Sequence, residues 1–213
     1  MSRAFLFSIL FLRAFVNHGQ STDKLILKGN YTKADSTHMV ESYLIAKEAV
    51  AQMHNAMKVI WDAEVKAGQS KEATRKEKWE KEKMFTQWLG QPEHIGLVNR
   101  KINRIKAKFD RSVILHVTKE NKGRCSDWIS AWAIPFGRVR ITLCEDFFVY
   151  RTHLQEKTLI HEMGHESGIF LHRKIHGCRA ARRAASSNDK VAKRSTENYA
   201  WLAMSYKGLV CPH

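Results

Sequence analysis

Apolar residues recur at helical spacing through the N-terminal half of the chain. Between Thr37 and Val65, the residues Leu44, Val50, Met53, Met57 and Ile60 fall at 3.6-residue spacing, which predicts a long amphipathic helix. The break Ala67-Gly68-Gln69-Ser70 ends it. A strongly charged second helix is predicted from Lys71 to Leu89, stopping at Gly90; its KEATRKEKWEKEK segment reads as a solvated face with i,i+4 ion pairs. Pro92 as a helix entry and the spacing of Ile95, Val98, Ile102 and Ile105 predict a third helix over 92–109.

The pattern then changes. Ser112 to Thr118 (SVILHVT) and Arg138 to Leu143 (RVRITL) are rich in β-branched residues and read as strands with SAWAIP between them, a small antiparallel sheet or hairpin-like pair. A further helix opens at Thr152 as N-cap, with Gln155 completing a capping box, and runs to about Ser167, where Gly168 stops it. Two more helices are predicted near Arg173 to Ser186 and Ser195 to Tyr206. The fold class expected is α+β and mostly helical: a helical part over 37–110 and a sheet-bearing part over 111–213, within one domain spanning 21–213. Residues 1–20 carry Arg3 and then an apolar run from Ala4 to Leu12, which reads as a secretory signal or an N-terminal hydrophobic segment.

Composition narrows the partners. Lys and Arg outnumber Asp and Glu by 36 to 21, a net charge of +15, which favours acidic surfaces such as a bacterial wall. No basic-aromatic module of a nucleic-acid binder is present, which argues against nucleic acid. No apolar run is long enough for a transmembrane span. None of the four cysteines is spaced C-x-x-C, which argues against a cysteine zinc site or a redox motif and leaves two disulfides open, in three possible connectivities. With the leader, this points to a secreted protein, extracellular or periplasmic, and a monomer. Asn30-Tyr31-Thr32 is an N-glycosylation acceptor in a eukaryotic secretory host.

The chemistry concentrates in Leu159 to Gly177, LIHEMGHESGIFLHRKIHG. On a helix, His161 and His165 project from one face a turn apart, as two nitrogen ligands of one Zn2+ require. Glu162 stands beside the metal rather than on it, placed to take a proton from the attacking water and pass it to the leaving amine. A third ligand comes from beyond the helix. His172 would lie ~10 Å too far along a continuous helix, but Gly168 permits a left-handed turn that brings the chain back. His172 is therefore the first choice, with His176 and Glu197 as alternatives; HExxHxxG followed by His is the metzincin order with one residue too many.

Four stretches, in order between Glu41 and Ala203, resemble the deuterolysin and peptidyl-Lys metalloendopeptidase family, the aspzincins. TQWLG (Thr86 to Gly90) is similar to the family's Trp-Phe-Gly segment. CSDWISAWAIPFGRVRITLCEDFF (Cys125 to Phe148) is similar to its Cys…Ala-Tyr…strand-Cys…Phe-Phe block. TLIHEMGH (Thr158 to His165) matches its zinc helix, and STENYAWLA (Ser195 to Ala203) resembles its Asn-Ala-Asp-x-Tyr-x-x-Phe segment. The resemblance implies a zincin-like fold, a Zn2+ cofactor, hydrolysis of protein or peptide substrates with Glu162 as general base, and pairing of Cys125 with Cys144, which leaves Cys178 for Cys211. It also implies a substrate-binding role for Glu197, although Ala200 stands where the Lys-specific members carry a second acid. The family's ligand segment Gly-Thr-x-Asp-x-x-Tyr-Gly corresponds here to FLHRKIHG, so a histidine stands in for the aspartate and the oxyanion tyrosine is absent, with Tyr199 or Tyr150 as possible substitutes. The leading expectation is a zinc metalloendopeptidase. A wall-peptide hydrolase toxin with the same chemistry and a non-catalytic binding relative are the alternatives.

Overall fold

The computed structural model describes residues 24–118, 123–125, 129–134, 138–149, 152–169, 175–209 and 211. The expected leader over 1–20, together with His172, Tyr150 and the side chain of Thr152, lies outside the described residues.

The chain opens with a short strand, β1 (Leu25–Gly29), followed by a 29-residue helix, α1 (Lys33–Trp61). That helix begins earlier than its apolar pattern, because Thr32 and Asp35 form a reciprocal capping box: Thr32 Oγ1 accepts from Asp35 N and the Asp35 carboxylate accepts from Thr32 N. The charged segment expected as one helix is two, α2 (Lys71–Lys81) and α3 (Lys83–Leu89), broken at Glu82. Trp79 and Phe85 are six residues apart, which on a straight helix is about 240° around the axis. The break lets both face the core, where they meet edge to face at 4.9 Å. The helix α4 (Ile95–Phe109) buries the four isoleucine and valine positions expected, together with Phe109.

Both expected strands form, as β2 (Val113–Val117) and β4 (Val139–Leu143), but they are parallel, not antiparallel. The SAWAIP stretch supplies a third strand, β3 (Ala131–Ala133), which pairs antiparallel with β4 at the sheet edge. With β1 parallel to β2, the sheet is mixed, in the order β1-β2-β4-β3. Strand periodicity does not carry direction. The connection between β2 and β4 is long enough to bring the chain back to the starting end, and β3 is laid down on that return. Val113, Leu115, Val117, Val139, Ile141 and Leu143 face the helices.

Helices α5 (Glu145–Val149), α6 (Thr152–Glu166), α7 (Cys178–Ser187), α8 (Asp189–Ala192) and α9 (Thr196–Ser205) complete the described chain. α6 lies in the middle, against α1, α4 and α9 on one side and β3 and β4 on the other. Gln155 does not serve the expected cap: its Oε1 accepts from Ser42 on α1 and its Nε2 donates to the Phe147 carbonyl on α5. Disulfides join Cys125 to Cys144 and Cys178 to Cys211, the pairing implied by the family resemblance. No described helix is long and apolar enough to cross a membrane.

Candidate metal centre

His161 and His165 project from the same face of α6, one turn apart, as their spacing requires. Their rings meet edge to face with centroids 4.8 Å apart, and the two Nε2 atoms are 3.1 Å from each other. Each imidazole is aimed by its other nitrogen. His161 Nδ1–H donates to Glu197 Oε2 at 2.8 Å, and His165 Nδ1–H donates to the Ile169 carbonyl at 2.9 Å. A carbonyl can only accept and an ionised carboxylate can only accept, so Nδ1 carries a proton in both rings, and the neutral form of each ring presents a lone pair at Nε2. Two Nε2 atoms converging at this distance could share a cation. Two nitrogens bound tetrahedrally at ~2.0–2.1 Å are about 3.3 Å apart, so the pair fits zinc geometry closely.

The local sequence explains how each acceptor arrives. At the end of α6, Gly168 takes φ +79°, Ile169 N–H bonds back to the Gly164 carbonyl and Gly168 N–H to the His165 carbonyl, the two bonds of a Schellman motif. That reversal, legible from Gly168, turns the Ile169 carbonyl under His165. Glu197 comes from α9, whose first turn is set against α6 at very short range: a Cβ on Gly164 would lie 2.7 Å from Thr196 Cγ2. The glycine of HEMGH is thus what lets α9 approach, a reason the sequence pattern did not reveal. Thr196 Oγ1 is 3.2 Å from His161 Nε2 and 3.4 Å from Nδ1, almost equidistant, so it lies beside the ring rather than in line with either lone pair.

Glu197 is 1% exposed, and the protein's own donors saturate it. Oε1 accepts from Gly177 N–H (3.0 Å) and Trp201 Nε1–H (2.9 Å), Oε2 accepts from His161, and Lys157 Nζ is 3.1 Å from both oxygens. Burial works against its ionisation, but the His161 hydrogen bond and the Lys157 charge outweigh it and hold the carboxyl far below the usual range. Glu197, expected to bind substrate, has its carboxylate against Lys157 and meets His161 on the side away from Nε2. Among the described residues the cluster able to hold a metal is His161, Glu162 and His165, with ligand atoms within 4.8 Å of one another, and Glu197 is not in it. His176 is exposed and outside that cluster.

Glu162 is buried between α6 and the sheet edge, where its carboxylate accepts from the Ala133 backbone N–H of β3. Burial pushes it up to about 8, against the opposing pull of that hydrogen bond and of Lys157. A divalent cation between the imidazoles would draw it back down. Tyr199, one possible oxyanion donor, is fully buried and its hydroxyl donates to the Lys193 carbonyl at 3.0 Å, which removes it from that role.

The fold is similar to that of a zinc peptidase. A solved structure titled zinc peptidase from Grifola frondosa is similar to this chain with a TM-score of 0.62 at 16% sequence identity, over 83% of this chain and 98% of that one. No protein-family model and no curated protein sequence matches the chain. At that identity the likeness speaks for the architecture, and the chemistry has to be argued from the side chains.

Proposed function

We propose that the chain is a zinc-dependent metalloendopeptidase of the deuterolysin and peptidyl-Lys type, with the aspartate ligand of that family replaced by His172. The convergence of the two Nε2 atoms, each ring anchored through Nδ1 and with Glu162 beside them, supports this reading. His161 and His165 would hold the ion, and His172 would complete the set from the segment just past the Gly168 reversal. Zinc at this position supplies Lewis acidity to the attacking water and the scissile carbonyl.

The chain's own groups do the rest. Glu162 takes the proton of the attacking water and delivers it to the leaving amine. Its hydrogen bond to Ala133 holds it against β3, the sheet's edge strand, and an extended peptide added along the free edge of β3 would lie within its reach. Glu197 acts on His161 and not on substrate: it fixes the tautomer and the ring orientation, as carboxylates behind metal-bound histidines do. Lys157, Gly177 and Trp201 keep that carboxylate in place, so Glu197 itself is engaged by the protein's own donors.

The test is zinc content by mass spectrometry beside hydrolysis of a casein substrate. Wild type should bind about one zinc per chain and cleave; Glu162→Gln should keep the metal and lose at least ~10²-fold in kcat/KM. His172→Ala should lose zinc while His176→Ala keeps it. A wild-type protein without zinc under metal-replete conditions would sink the reading. Loss through His176→Ala would move the third ligand.

A further inference from the structure

The +15 net charge is not spread evenly over the molecule. Along α4, Lys101, Arg104 and Lys108 follow one another at intervals of three and four residues, so they fall on one stripe of the helix, and Arg111 follows just past its end. From Leu97 to Phe109 that stripe is about 18 Å long at 1.5 Å per residue. The other flank carries Asn99, Asn103, Lys106 and Asp110, and its two charges are paired with each other at 2.7 Å. Helix-dipole stabilisation accounts for cations in the last turn but not for Lys101 or Arg104 further back.

Each end of the stripe opens into a concavity. The first is lined by His94, Leu97, Lys190, Lys193 and Arg194, and Lys101 donates to the Lys193 carbonyl beside it at 2.7 Å. The second is lined by Arg104, Lys108 and Arg111 with Glu166, Ser167 and Gly168 at the end of α6. The acids nearby are committed: Asp189 to Lys193 at 2.5 Å, and buried Glu166 to Lys108 at 3.3 Å. Lys190, Arg104, Arg111 and Arg194 are exposed. Among the described residues, no phenylalanine, tyrosine or tryptophan lines either concavity.

We propose that this stripe binds a linear phosphodiester polymer that carries no bases, such as a polyol-phosphate chain. Lys101, Arg104, Lys108 and Arg111 succeed one another along the direction of α4, which suits an extended chain. Arginine forks give two hydrogen bonds to a phosphate. The described lining residues offer nucleobases no aromatic platform on which to stack. The stripe ends at the turn that closes the metal-site helix, so a bound polymer would run beside the centre and hold the protein on a polyanionic surface. Binding there needs neither zinc nor Glu162, so its failure and the failure of the peptidase reading are separate results.

The test uses the full chain and a fluorescent abasic deoxyribose-phosphate 20-mer, followed by anisotropy from 50 to 200 mM salt. Four phosphate contacts on a single strand predict a log–log slope of roughly −2.8, a loss of about 50-fold across that range. Arg104→Gln with Arg111→Gln and Arg194→Gln should lower the slope by about 2 and the affinity by at least tenfold. Lys58→Gln with Lys71→Gln and Lys78→Gln removes the same charge elsewhere and should change affinity by less than about twofold. Equal weakening by both triples would overturn the stripe as a site, as would no binding at 50 mM salt. An oligothymidine 20-mer binding tenfold tighter than the abasic one, or a heparin fragment binding through the stripe when the abasic chain does not, would overturn the ligand class.

Discussion

The two histidines of the candidate centre are supported in opposite ways. His165 is held locally, by the carbonyl four residues on, delivered by a Schellman turn that costs one glycine. His161 is held by a carboxylate 36 residues away, itself locked by a lysine, an indole and a backbone N–H from three different places. The local support is built from backbone alone and has few ways to fail. The long-range one is a buried polar network, where removing a single member strands all the others. Their geometry converges on one point, but their energetics should not.

The largest effect should follow from cutting the long-range support. Glu197→Ala leaves Lys157, His161, Trp201 and the Gly177 N–H facing a gap at a site that is 1% exposed. Removing one partner of a buried ion pair costs on the order of 3–5 kcal/mol, and removing the carboxylate behind a metal-bound histidine costs roughly 10–100-fold in metal affinity. Thermal unfolding and chelator competition for zinc would measure the two losses. If Glu197→Ala binds zinc within threefold of wild type, the network does not support His161.

A smaller effect sharpens the comparison from the other side. Glu156 sits on the same helix, five residues before His161, and is as buried as Glu197, yet its Oε2 meets no donor among the described residues. Burial pushes it up to about 7 from 4.5. Because the folded-state value is raised, the stability it contributes is fully present below about pH 4.5 and is lost as pH rises through 7. Glu156→Gln cannot ionise, so the variant should match wild type at pH 4 and be more stable by roughly 1–3 kcal/mol at pH 8. Parallel stability profiles over that range would show that burial without donors is tolerated here, and would weaken the case that donors are what keep Glu197 charged.

The same contrast governs what could be read from the chain. His161, Glu162, His165 and the Gly168 stop are all local, spaced by the helical period or by a turn, and all stand where the pattern places them. The Glu197 bond to His161 was not legible, because nothing in STENYAWLA says which face of α9 meets α6; the signal available was Gly164, small where two helices must nearly touch. The sheet divides likewise. Residues 112–118 and 138–143 announced strands by their β-branched runs, but the direction of β2 against β4 depends on the path between them, and β1 (LILKG) holds a single β-branched residue, Ile26. Glu82, which breaks the charged helix in two, carries no breaker signal; the burial of both Trp79 and Phe85 forces the bend.

The smallest effect is expected at the local support, and it is the one that decides whether the contrast is real. Gly168→Ala places a Cβ at φ +79°, a cost of roughly 1–2 kcal/mol for an L-residue. The turn can relieve that strain by shifting the Ile169 carbonyl, which then meets His165 Nδ1 less squarely, yet a backbone carbonyl or water nearby can still accept that proton. Zinc affinity should therefore fall less than tenfold, and Gly168→Asn should lose less than Gly168→Ala, because asparagine tolerates the left-handed region. Chelator competition on the two variants reads this directly. A loss from Gly168→Ala as large as that from Glu197→Ala would mean that the Ile169 carbonyl is as irreplaceable to His165 as the carboxylate is to His161, and the two supports would then differ in sequence distance but not in strength.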